Sequence, residues 1–133
     1  MILELDLHGG VPIYRQVMDH LRRQVLVEQL AAGDQIESVK SLSARLGVNP
    51  MTISKAYGFL VEEGLLERRR GVGLFVRAIR KDTKRRQQGF LLDQALNKVA
   101  TLAVQMRIPE EEAVELFVAQ YRKIAPPEDG ERA

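Results

Sequence analysis

The amino-acid sequence predicts a mainly α chain with a small β wing, on three observations. Two short helical patterns meet at Gly47-Val48-Asn49. Two strand-like runs, Leu65–Arg69 and Leu74–Arg77, follow at once and flank Arg70-Gly71-Val72-Gly73. From residue 90 onward, apolar residues recur at three- and four-residue spacing as far as Tyr121. Helix, turn, helix and ribbon in that order describe a winged helix-turn-helix, a shape that presents one helix to a DNA major groove. The apolar tail reads as a two-helix dimerisation element. The expected division is a winged helix-turn-helix at 1–78, a two-helix tail at 79–126 and a frayed C-terminus at 127–133.

Each element has a local reason. Residues 1–11 alternate apolar and polar (Ile2, Leu3, Leu5, Leu7) and end at Gly9-Gly10, which predicts an extended arm or short edge strand. Pro12 suits the first helical position, where no N–H is needed. Ile13, Val17, Leu21, Val25 and Leu26 then mark a helix running to about Leu30, closed by Ala31-Ala32-Gly33-Asp34 with Gly33 just past its end. Ser38 is placed to cap a short helix that turns Leu42 and Leu46 inward and stops at Gly47. Asn49 caps the next helix with Pro50 in its first position, and Gly64 ends it. Its core face is Ile53, Ala56, Tyr57 and Leu60, which leaves a small polar outward face with one long cation.

Arg80 to Gln88 reads as a charged linker or the exposed start of a helix. The helical period from Phe90 to Met106 is strong, and Pro109-Glu110-Glu111-Glu112 opens a last helix with acids that match its dipole. Pro126-Pro127 ends that helix.

Composition narrows the function. There is no cysteine, which excludes disulfides, thiolate zinc sites and thiol catalysis. No apolar run approaches the roughly 20 residues that span a bilayer, and the N-terminus lacks a basic signal-peptide region, so a cytoplasmic location and no membrane partner are expected. His8 and His20 have no metal-ligand spacing, and no glycine-rich phosphate loop, nucleophile elbow or carboxylate pair is present. No catalytic residue, metal or cofactor is therefore expected.

Charge is more telling. Net charge is only +2, yet nine basic residues (68, 69, 70, 77, 80, 81, 84, 85, 86) face one acid, Asp82, between Arg68 and Arg86. From Phe90 onward eight acids stand against five bases. A basic wing beside a mildly acidic tail implies one face for a polyanion and another for a different partner.

The residues expected at DNA lie in three groups. Asn49, Pro50, Met51, Thr52, Ser54 and Lys55 form the start of the recognition helix, with Tyr57 behind them. Hydroxyls there suit phosphates or bases, a lysine suits a phosphate or guanine, and a methionine suits a thymine methyl. Arg68, Arg69, Arg70, Gly71 and Gly73 form the wing, with Arg68 and Arg70 on one side of the strand and Arg69 on the other. Lys81, Lys84, Arg85 and Arg86 suit either phosphate contacts or a solvated linker. In the tail, Leu91, Leu92, Ala95, Leu96, Val99, Leu102, Ala103 and Met106 join Val114, Phe117, Val118 and Tyr121 in an apolar surface. Two helices alone cannot bury enough surface to be stable, so the economical partner is a second copy of the chain in a two-fold dimer.

The stretches PIYRQVMDHLRRQV and GDQIESVKSLSARLGVNPMTISKAYGFLVEEGLLERRRGVGLFV resemble the DNA-binding domain of GntR-family bacterial transcription regulators. The likeness runs from about Pro12 to Val76, and the short tail is similar to the YtrA-type subfamily with its two-helix dimerisation element. The resemblance implies a homodimeric regulator, acting as a repressor on a near-palindromic double-stranded DNA operator, with a transporter operon and a small-molecule effector as further expectations. Ser38 and Lys40 on the second helix, the recognition helix from Asn49 to Tyr57 and the Arg70–Gly73 wing tip fall at the family's DNA-contacting positions. The chain departs from the family where Ile36-Glu37-Ser38 replaces Leu-Pro-Ser and where Lys40 and Lys55 replace arginine. A protein–protein adaptor and a fragment of a fused enzyme are the rival readings; steep salt dependence of binding singles out the DNA binder.

Overall fold

The computed structural model describes residues 4–126. Ile2 and Leu3 of the expected arm, Pro127 and the expected frayed end at 127–133 lie outside the described residues. The elements run α1 (Ile13–Leu26), α2 (Val39–Leu46), α3 (Pro50–Glu62), β1 (Leu66–Arg69), β2 (Gly73–Val76), α4 (Lys81–Gln105) and α5 (Glu110–Ile124). Internal contacts group the chain into two compact units that divide after Gln88.

In the first unit, α3 packs on α1, α2 and β1. Val17, Leu21, Leu42, Ile53, Leu60, Leu66 and Val76 are fully buried at their junction. The caps form as the sequence predicts. Ser38 Oγ accepts from Ser41 N–H at 3.1 Å and Asn49 Oδ1 from Met51 N–H at 2.8 Å, with Pro50 in the first turn of α3. Between α2 and α3, Gly47 sits at φ +68, a left-handed conformation that costs a residue with a Cβ. β1 and β2 are antiparallel with Leu66 opposite Val76 and Arg69 opposite Gly73. Gly73 therefore belongs to β2 and the connecting loop is only Arg70-Gly71-Val72.

Four expectations are corrected. No strand forms among the described residues of the arm; Gln16 instead holds it by side-chain bonds to Asp6 and Val11, while Leu5 rests on the core. Pro12 is the N-cap of α1, one residue before the helix, with ψ 144. α1 stops at Leu26 and not near Leu30, because Glu28 takes φ +62 and the Gln29 N–H turns back to Gln24 O at 2.9 Å. That is a Schellman ending with glutamate where glycine is usual. Gly33 is consequently no helix cap: its N–H bonds Val76 O at 2.8 Å, and residues 33–36 lie along β2 as a third short extended segment.

Arg80 to Gln88 resolves as helix from Lys81 onward. Its first turns are tied to α1 by Lys84–Glu28 at 2.8 Å and by Gln88 Nε2 donating to Leu26 O at 2.9 Å. In the second unit α4 ends with Arg107 at φ +58 and α5 starts after Pro109. Neither helix contains a buried residue. Among the described residues, no helix is long and apolar enough to cross a membrane.

Candidate nucleic-acid interface

The recognition helix is a rigid rod with a committed inner face. Ile53, Ala56, Tyr57 and Leu60 are buried, so the intervening positions must point outward. Met51 is 78% exposed in the first turn, and Ser54 and Lys55 are also exposed. Thr52 is half-buried. Lys40 is exposed on α2, and Lys40, Thr52 and Ser54 make no side-chain hydrogen bond or ion pair among the described residues. Two candidates carry structural duties: the Ser38 hydroxyl and the Asn49 side-chain oxygen each cap a helix. Lys55 holds its ammonium 4.2 Å above the Tyr14 ring, which in turn lies 5.6 Å from Phe59.

Tyr57 stands apart. It is 2% exposed, and its hydroxyl donates to Glu37 O at 2.8 Å. Burial, with the Glu37 carboxylate nearby, pushes its pKa up, so it stays a donor at all working pH values. Its place is behind the exposed face of α3, holding that helix to the segment that leads into α2.

Glu37, one of the residues at which the chain departs from the family pattern, is ion-paired. Arg45 Nη2 and Nε donate to its two oxygens at 2.7 and 3.2 Å, and Ser41 Oγ donates at 2.7 Å. The Arg45 hydrogen bond holds the Glu37 carboxyl below the usual range despite partial desolvation. Ser41 and Arg45, four residues apart, share one side of α2, and Glu37, just before the Ser38 cap, folds back onto them.

Ser38, Tyr57, the three arginines, Gly71 and Gly73 converge on one cleft of about 440 Å³, whose remaining walls include Gln35 and Val39. Arg68 and Arg69 occupy successive positions at the end of β1, and Arg70 lies beyond it in the loop, so strand alternation does not set its side. Arg69 folds over Phe75 at 4.0 Å and pairs with Glu67 at 3.2 Å, while Arg68 and Arg70 have no ion-pair partner among the described residues. The linker cluster is mixed: Lys84 is spent on Glu28, whereas Lys81, Arg85 and Arg86 are exposed. No group of three His, Asp or Glu side chains that could hold a metal occurs among the described residues.

The tail positions are largely open to solvent. Leu92, Leu96, Val99 and Leu102 on α4, Met106 in the turn just after it, and Val114, Phe117 and Tyr121 on α5 are exposed, as is Ala95, while Leu91, Ala103 and Val118 are half-buried. Ile124, at 79% exposure, extends the α5 stripe beyond the expected set, and its three-residue step from Tyr121 was the available signal.

Comparison with known proteins agrees with this geometry. The family model described as bacterial regulatory proteins, gntR family, matches residues 13–76. The chain is 33% identical over 82 residues to the HTH-type transcriptional repressor YtrA of Bacillus subtilis, covering 62% of this chain and 63% of that one. It is 35% identical over 74 residues to the transcriptional regulator YhcF of the same organism, covering 56% of this chain and 61% of that one. The chain thus spans under two thirds of each relative's length. Among solved structures, YtrA from Sulfolobus acidocaldarius, a GntR-family transcription factor, superposes with TM-score 0.56 at 25% identity over 92% of this chain and 98% of that one. The AraR DNA-binding domain in complex with operator ORX1 gives TM-score 0.52 at 31% identity over 57% of this chain and 98% of that one. With its capped recognition helix and basic wing, residues 13–76 of this chain are a helix-turn-helix domain of the GntR family of regulatory proteins.

Proposed function

We propose that the chain is a homodimeric transcriptional repressor of the cytoplasm that reads a near-palindromic DNA operator. The DNA contacts come from Ser38, Lys40, the exposed start of α3 and the Arg68–Gly73 wing, within a DNA-binding domain at 1–78. The observation that carries it is Met51. Its side chain, 78% exposed in the first turn of the helix capped by Asn49, is free to press against a thymine methyl. Arg68 and Arg70, free of acidic partners among the described residues, supply the phosphate or minor-groove attraction.

Dimerisation through the tail, 79–126, gives the second half-site. The exposed apolar stripes of α4 and α5 support it, since helices with no buried residue do not hold their shape unaided. Two recognition helices then require half-sites about 10 bp apart, centre to centre. The regulated operon, including a transporter, follows the relatives by analogy; one relative is named a transport and metabolism system repressor.

The test is fluorescence anisotropy with duplex DNA from the region upstream of the chain's own gene, beside a scrambled duplex, at two salt concentrations. Tight binding that prefers the native duplex and weakens steeply with salt is expected. Weak, equal binding to both duplexes overturns the reading and favours a protein adaptor.

A further inference from the structure

The wing tip is fastened from outside its own hairpin. Arg70, Gly71, Val72 and Gly73 are all exposed, and Val72, at 61%, has no apolar seat. Two of the four are glycines with positive φ, +76 at Gly71 and +140 at Gly73. Left to itself, such a tip samples many conformations, and each must be frozen out when DNA binds. One side-chain hydrogen bond reaches it among the described residues: Gln35 Nε2 donates to Val72 O at 3.0 Å.

Gln35 is well placed for this. Its backbone bridges Phe75, while the neighbouring Ile36 N–H bonds Leu74 O at 2.9 Å, so the residue is anchored along β2 before its side chain extends to the tip. The amide passes directly over Gly73. A Cβ there would stand 2.8 Å from Gln35 Nε2, closer than carbon and nitrogen tolerate, so Gly73 leaves room for the latch as well as providing the turn.

We propose that Gln35 is a positioning residue for DNA binding: its amide latches Val72 and thereby fixes where Arg70 and the Gly71 backbone meet the duplex. The inference rests on the DNA-binding reading above and adds a residue outside the helix-turn-helix and wing to the machinery. Gln35 touches no base in this account; it pre-forms the wing.

The test uses the full chain and Gln35→Ala, whose site is exposed and outside the core. In the free protein, 15N order parameters of Gly71, Val72 and Gly73 should drop from roughly 0.85 toward 0.6 while the melting midpoint stays put. Affinity for the native upstream duplex should weaken about 3- to 10-fold, the scale of one hydrogen bond. In an Arg70→Ala background the same change should cost less than it does alone, because part of the latch's effect acts through Arg70. Unchanged tip order parameters overturn the latch, and so does full additivity with Arg70→Ala. If the parent protein shows no preference for the native duplex, the regulator reading fails, and the free-protein order parameters still decide the latch.

Discussion

The Tyr57 hydroxyl donates to the Glu37 carbonyl at 2.8 Å across the junction of α3 with the segment entering α2. This one bond joins the recognition helix to the residue just before the N-cap of its neighbour, and it lies where burial makes an unmade bond expensive. Tyr57→Phe keeps the ring in the core and leaves Glu37 O without its donor. The expected cost is about 1 kcal/mol, or about 4–8 °C in melting temperature for a unit of this size, with the fold intact. Differential scanning calorimetry checks it. An unchanged midpoint means water replaces the hydroxyl and the bond contributes nothing.

The parts of this junction legible in the sequence are those set by neighbours along the chain. Ser38 and Asn49 could be assigned as caps because an N-cap bond spans two or three residues. The inward face of α3 followed from spacing alone. What sequence left hidden is long-range. Gln35 meets Val72 across 37 positions and Tyr57 meets Glu37 across 20. No local pattern announces that residues 33–36 pair with β2, and Glu28 in a left-handed conformation defies the propensity that predicted a longer α1. Tyr57 was correctly placed on the core face, yet the resemblance also marked it for DNA; only its hydroxyl partner separates holding the reading head from touching DNA.

Glu28 gives a second prediction. A non-glycine residue at φ +62 is strained, and the compensation on view is its exposed pair with Lys84. The hydrogen bond and charge of Lys84 hold the Glu28 carboxyl below its usual range. Glu28→Gly relieves the strain and loses the pair. The expected result is a higher melting temperature than the parent, with the gain larger at high salt, where the parent's pair is screened. A lower melting temperature at every salt concentration would show that the contact between α1 and α4 outweighs the backbone strain.

His20 makes stability depend on pH. Burial, with Arg23 and Arg45 adding to it, lowers its pKa below 6.5, and its Nε2 is buried without a hydrogen-bond partner among the described residues. The lowered value means that the unfolded chain takes up the proton first. Stability is therefore level above about pH 6.5 and falls as pH drops below it, until the folded-state pKa is passed. The slope stays below the one-proton ceiling of about 1.4 kcal/mol per pH unit, because the ring is partly solvated. Urea denaturation of the parent and of His20→Gln at pH 7.5 and 5.5 checks this. The substitution should flatten the difference, and an equal loss in both proteins would assign it to carboxylates elsewhere.

The tail supplies the last prediction. Val99 lies 60% exposed in the middle of the α4 stripe, between Leu96 and Leu102. In a two-fold dimer each substitution enters the interface twice, and a carboxylate buried there without a partner is costly. Val99→Asp should weaken dimerisation at least about 100-fold, read as monomers by sedimentation equilibrium at concentrations where the parent is dimeric. The winged unit, whose core is Leu21, Leu42, Ile53 and Leu60, should keep its melting transition, since Val99 is outside that unit. Binding to a two-half-site duplex should drop toward the affinity for a single half-site, because the linked second contact is gone. A parent that is monomeric at these concentrations, or a Val99→Asp protein that stays dimeric, would place the self-association surface elsewhere. Full operator affinity in a monomeric Val99→Asp protein would mean that one reading head suffices.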